Sequence, residues 1–189
     1  MLQIQCLKST CNKPTELYSK YSIGPFIKGQ SITIGNTLRR VLLSNLQGLA
    51  ITGVHIKGTA HEFSSIPNVK EDVIDILLNL KQIILKGNIT EPVLARISTK
   101  EAGIIIASDI AFPNNITVVD PNQYIMSLTN KESLEMELLI AKGQSYLISE
   151  KLKCTIPRNF LAIDAVFMPV SKVNFFVQPS SNNSLPDFE

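Results

Sequence analysis

Only two stretches of this 189-residue chain carry a helical hydrophobic period, and that fixes the kind of fold it can adopt. In the first, about Thr33 to Leu46, Ile34, Leu38, Val41, Leu42 and Leu46 recur at i, i+4, i+7, i+8 and i+12. Ser31 or Thr33 is placed to cap it and Gly48 to stop it. The second runs from about Asn68 to Lys81, with Val69, Val73, Ile76, Leu77 and Leu80 as its stripe. Pro67 and Asn68 mark its start. Glu71, Asp72 and Asp75 near that end, with Lys81 at the other, complement the helix dipole.

The rest reads as short strands. Leu2, Ile4 and Cys6 alternate with polar residues, and Leu17 to Ile23 reads as the return of a hairpin. Further strands are expected over Ile51–Lys57, Val93–Ser98, Ile116–Val119, Tyr124–Leu128, Leu134–Ile140, Ala165–Met168 and Val173–Val177. Proline, asparagine and glycine separate them at Pro92, Pro113, Pro121 and Gly143. Residues Pro179–Glu189 have little to bury and read as a loose tail. The fold class is therefore α+β, with strands in the majority.

Composition excludes several function classes. Basic residues number 18 against 16 acidic, a net charge of +2, far from the excess of a chain that wraps nucleic acid by charge. Mean hydropathy is +0.16, yet no apolar run approaches the roughly 18 residues of a transmembrane helix. Cys6, Cys11 and Cys154 form no Cys-x-x-Cys pair, so neither a disulfide scaffold nor a zinc ribbon is expected. The N-terminal residues lack the pattern of a signal or transit peptide. Ile occurs 24 times, Asn 14 times and Lys far more often than Arg, a bias of AT-rich genomes.

Catalytic motifs are not found. Gly24–Ser31 nearly matches a phosphate loop, but Gln30 stands where the loop needs lysine. Its simpler reading is a strand-to-helix turn. Glu71, Asp72 and Asp75 read as a solvated, dipole-matched face, not as metal ligands or an acid–base pair. His55 and His61 match no metal or nucleophile pattern, because Ser65 replaces the second histidine that His61-Glu62 would need. No cofactor is expected.

The first helix carries the most informative surface. Its stripe leaves Arg39, Arg40 and Leu43 on another side, where Arg40 and Leu43 are i, i+3 neighbours. The chain has only four arginines, and two of them are adjacent here. An arginine fork beside a large apolar residue suits a partner surface.

Four motifs in order then give a resemblance. They are Thr33-Ile-Gly-Asn-Thr-Leu-Arg-Arg-Val-Leu-Leu-Ser-Asn, His61-Glu-Phe-Ser-Ser-Ile-Pro-Asn-Val-Lys-Glu-Asp-Val, Ile76-Leu-Leu-Asn-Leu-Lys, and Ile163-Asp-Ala-Val-Phe-Met-Pro-Val followed by Val173-Asn. From about Gln3 to Val177 the chain resembles the N-terminal domain of the α subunit of bacterial-type RNA polymerase. Val119-Asp-Pro-Asn-Gln-Tyr gives it a cyanobacterial or plastid character.

The resemblance implies a non-catalytic subunit that dimerises and carries the β and β′ subunits, meeting DNA only through the complex and no membrane. It implies an assembly domain over 1–47 and 161–189, with a mostly β insert over 48–160. Ile34, Leu38, Leu42 and Leu46 fall at the implied dimer interface. Arg40, with Arg39, Leu43, His61, Glu62 and Phe63, falls in the implied β-binding surface. Lys81, Asp164 and Met168 lie in regions linked to the large subunits. The family's assembly domain runs on into a further strand and a long helix, so the expectation is a C-terminally truncated α subunit. The implied location is a plastid, with a bacterial cytoplasm as the alternative. The competing reading is a small phosphate-binding enzyme using Gly24–Ser31.

Overall fold

The computed structural model describes residues 2–59, 61–113, 115–131 and 133–179. Chain contacts divide it into two compact units, Met1–Leu46 with Val170–Glu189, and Gln47–Pro169. The sequence reading cuts the insert at 160/161. The contact boundary falls at 169/170, because 161–166 supplies strands to the second unit.

In the first unit, β1 (Gln3–Lys13) and β2 (Glu16–Gly24) form an antiparallel hairpin, and α1 (Gln30–Ser44) follows. The helix starts three residues before the expected Thr33. Its cap is Gly29, whose φ of 89° suits glycine, and neither Ser31 nor Thr33 caps it. Asn45 closes it, so Gly48 does not stop the helix but lies in the next strand.

The expected core stripe of α1 is only partly covered. Ile34, Leu42 and Leu46 are half-buried, whereas Leu38 and Val41 are exposed. Leu43 is half-buried too, so it is not a stray exposed leucine. Among the described residues of its own unit, α1 has a two-stranded hairpin and residues 170–179 to pack on. Ser31 is the one buried residue described in this unit. Leu2, Ile4, Leu7, Leu17, Tyr18 and Tyr21 of the hairpin segment are all exposed. Residues 173–177 pair with no strand among the described residues, so the expected strand is absent there. The Phe175 ring instead lies over Gly35, where a Cβ would come within 2.5 Å of it. The expected loose tail lies outside the described residues beyond Pro179.

The second unit comprises β3 (Gln47–Ile56), α2 (Val73–Lys81), β4 (Leu85–Gly87), β5 (Val93–Thr99), β6 (Gly103–Ile106), β7 (Ile116–Val118), β8 (Tyr124–Leu128), β9 (Leu134–Gln144), β10 (Tyr146–Leu147), α3 (Ser149–Leu152), β11 (Leu161–Ala162) and β12 (Ala165–Val166). Its main sheet has the order β5-β9-β3-β4-β7, with β11 also paired to β3, and every pairing is antiparallel. The β3–β9 ladder is the longest pairing in this sheet. Alternate residues Leu134, Met136, Leu138 and Ile140 point into one core with Ala95 and Ile97 of β5. Val73, Ile76 and Leu80 of α2 complete that core with no exposed surface.

A bulge breaks the β3 ladder between Ile51 and Gly53. The buried Thr52 at this point donates its hydroxyl to the Leu139 carbonyl at 3.2 Å. Its own carbonyl accepts the Ile163 amide at 2.9 Å. The bulge thus anchors the C-terminal segment of the unit to its central strand.

The second helix begins later than its period implies. Residues 68–72 are not helical: Asn68 has φ 62°, Val69 bridges to Leu128 of β8, and Asp72 bridges to Ser65. Strand pairing wins over the helical period here because β8 offers Val69 an apolar seat. Glu71 and Asp75 therefore share no helix face.

Candidate functional site

The structure gathers several of the expected residues in one groove of the second unit. Glu62, Phe63, Lys81 and Asp164 line a groove of about 260 Å³ with Ile74 and Leu78 of α2. His61 is exposed in the same loop but does not line it, and Met168 is half-buried outside it. Arg39 and Arg40 belong to the other unit.

The loop that brings Glu62 and Phe63 is closed on itself. The Ser64 hydroxyl donates to the His61 carbonyl at 2.6 Å, and the Val73 amide donates to the Ser64 carbonyl at 3.3 Å. Its far end is tied to β8: the Lys70 amide donates to the Ser127 carbonyl, and the Thr129 amide to Asn68. Glu71 is the clasp, and it is not a solvated acid of a helix face. Its carboxylate accepts the Ser127 amide at 2.8 Å, the Ser127 hydroxyl at 2.9 Å and the Tyr124 hydroxyl. Burial pushes this carboxyl up, but the hydrogen bonds from Tyr124 and Ser127 outweigh it and hold it below its ordinary value. Burial and the Glu71 carboxylate push the Tyr124 phenol up.

Lys81, in the last turn of α2, is held by two groups. Its ammonium lies 3.2 Å from Asp164 Oδ2 and 5.3 Å from the centre of the Tyr146 ring. Asp164 accepts the Ser149 amide at 2.8 Å and the Tyr146 hydroxyl at 2.7 Å. The Ser149 amide, then Tyr146 and Lys81, bring its pKa from 3.8 to about 2 despite burial. Burial lowers the Lys81 pKa, but Asp164 more than restores it and the net shift is upward. The result is a pre-arranged cation–anion pair at the groove's edge.

Ile74, Leu78 and Tyr146 are the site residues that sequence reasoning passed over. Ile74 and Leu78 carried a signal, since they are four apart on a helix whose core face is already supplied by Val73, Ile76 and Leu80. Tyr146 carried none, because it enters through a two-residue strand paired to β12.

Arg39 and Arg40 are exposed on α1 and pair with no acidic group among the described residues. Exposed, unpaired guanidinium forks have their donors available for another chain. His55 has a structural setting: its Nδ1 lies 2.8 Å from the Asn159 carbonyl and its ring 5.7 Å from Phe160. The Gly24–Ser31 alternative finds no support. The segment closes β2 and starts α1 at Gly29, and Gln30 opens the helix where a phosphate loop needs its cation. Among the described residues no cluster of three metal-ligating side chains occurs, and no helix is long and apolar enough to cross a membrane.

An antiparallel sheet, one helix closing its core and an exposed groove beside that helix make up an α+β unit. Residues 54–168 match the family described as the RNA polymerase Rpb3/RpoA insert domain, and the chain belongs to that family. It is also similar along nearly its whole length to proteins named DNA-directed RNA polymerase subunit alpha. The one from Emiliania huxleyi is 52% identical over 96% of this chain and 59% of its own length. Those from Cyanidium caldarium and Synechocystis sp. are 47% and 44% identical, over 94% and 93% of this chain and 57% and 56% of their own lengths. The chain thus spans less than two thirds of each of these relatives.

Proposed function

We propose that this chain is an assembly subunit of a DNA-directed RNA polymerase, a scaffold on which the large β and β′ subunits are built. The observation that carries this reading is that the first unit has no internal core among its described residues. Its hairpin and helix leave leucines, isoleucines and tyrosines in water, and Ser31 is the one buried residue described there. A unit of this size offsets its chain entropy only by burying apolar surface, so these side chains call for contacts beyond the described residues, and this reading assigns part of them to partner subunits.

In this reading the assembly domain is drawn from both ends of the chain, 1–46 and from 170 onward, and 47–169 is the insert. Ile34, Leu38, Leu42 and Leu46 meet a second copy of the chain. Arg40, with Arg39, Leu43 and the loop of His61, Glu62 and Phe63, meets the β subunit, and Lys81, Asp164 and Met168 lie at large-subunit contacts. The chain supplies no catalytic group; nucleotidyl transfer belongs to its partners, which also hold the DNA. A plastid location is favoured by the AT-rich composition and by the algal and cyanobacterial origin of the relatives.

Mixing the purified chain with the β subunit of a plastid-type polymerase and weighing the product by light scattering tests the reading. A stable complex containing β is the expected result. Two components that elute separately at micromolar concentration would overturn it.

A further inference from the structure

The groove beside α2 has an unbalanced chemistry. Its floor is apolar and wet: Phe63 is 75% exposed, Leu78 51% and Ile74 37%, although the opposite face of the same helix is fully buried. Large apolar side chains grouped in this way mark a docking surface. Its rim carries two carboxylates and one ammonium. Lys81 and Asp164 already satisfy each other, and Asp164 has two further donors. Glu62 is half-buried at the same rim and accepts no hydrogen bond or ion pair among the described residues. The rim therefore has one negative charge to spare, at Glu62.

We infer that this groove takes a segment of a large polymerase subunit that carries a bulky apolar side chain with a lysine or arginine close beside it. The inference rests on the assembly reading above and names the chemistry of one contact within it. The apolar side chain seats among Phe63, Ile74 and Leu78. The cation pairs with Glu62, where partial burial strengthens a charged hydrogen bond. Lys81, held in place by Asp164 and Tyr146, repels a cation placed on its own side and so fixes the direction in which the segment lies.

The test uses the full chain with purified large subunits. Binding is measured for the native protein, Glu62→Lys, Glu62→Gln, Phe63→Ser and Arg40→Ala, with circular dichroism to confirm that each variant is folded. A photo-reactive phenylalanine analogue introduced at Leu78 identifies the partner segment. The inference expects Glu62→Lys to weaken binding at least tenfold, Glu62→Gln by a smaller factor with a shallower salt dependence, and Phe63→Ser at least fivefold. It expects the cross-link to fall on a large-subunit peptide with an apolar residue and a basic neighbour.

Native-level binding by Glu62→Lys and Phe63→Ser, while Arg40→Ala binds weakly, would overturn the groove and leave the assembly reading standing. A cross-link to an acidic segment, or to a second copy of this chain, would also overturn it. If the native chain itself fails to bind the large subunits, both readings fall.

Discussion

Gly48 and Gly143 face each other across the β3–β9 ladder, and Phe167 crosses over both of them. A Cβ at Gly48 would lie 2.0 Å from the Phe167 carbonyl oxygen, and one at Gly143 would lie 2.7 Å from its ring. Phe167 is itself buried, so the glycine pair is the seat that holds the 161–169 segment against the sheet. Gly48→Ala must move backbone, and is expected to destabilise by about 3 kcal/mol. Gly143→Ala can be met by a tilt of the ring, and is expected to cost about 1–2 kcal/mol. Urea unfolding midpoints check the order; equal and negligible effects would contradict the packing.

The Glu71 clasp is expected to contribute to stability through charge. Glu71→Gln keeps the shape but turns an amide toward the donors of Ser127 and Tyr124. A loss of about 1–3 kcal/mol is expected in thermal or urea unfolding. Because the folded carboxyl lies below its ordinary value, the contribution is present above the unfolded pKa and falls away as pH drops through the folded one. Glu71→Gln should flatten that part of the stability profile.

The Asp164–Lys81 pair predicts a window on both sides. Asp164 stabilises fully above its unfolded value near 3.8, and this is lost as pH falls toward about 2. Lys81, whose pKa is raised, stabilises below its unfolded value and ceases to do so as pH rises through its folded one. Asp164→Asn should reduce the acid-side slope, leaving the part due to Glu71, and lower stability at neutral pH by ~1–3 kcal/mol. Denaturant titrations at a series of pH values measure both.

Self-association is the expected use of the uncovered α1 stripe. Light scattering of the isolated chain should give twice 20.9 kDa. Leu38→Asp, placed at an exposed position of that stripe, should return it to a monomer without loss of helix signal. A monomeric native chain would contradict the assignment of Ile34, Leu38, Leu42 and Leu46 to a dimer contact.

Much of this architecture was readable from hydrophobic period alone, and the failures have physical causes. Tyr124–Leu128 was read with its bounds intact because its alternation agrees with its tertiary setting. The start of the second helix was misplaced because Val69 fits a helical stripe and a strand seat equally well, and only the position of β8 decides between them. Gly48 and Gly143 look like punctuation in a sequence, since the residue they make room for lies at 167. Val173–Val177 has a strand's alternation, but a strand needs a partner ladder and none is formed there among the described residues. Of the groove, Lys81 and Asp164 were reached through family motifs, whereas Ile74 and Leu78 could have been reached from their spacing.

Arg40 tests the central claim most directly. The affinity of the full chain for the purified β subunit should be measured for the native protein, Arg40→Ala and Arg158→Ala, an exposed arginine outside every proposed contact. The account predicts that Arg40→Ala keeps its fold and binds ~30-fold or more weakly, the lower end for truncating one partner of an interfacial charge pair, while Arg158→Ala binds as the native chain does. Native affinity in Arg40→Ala, or equal losses in both variants, would contradict it.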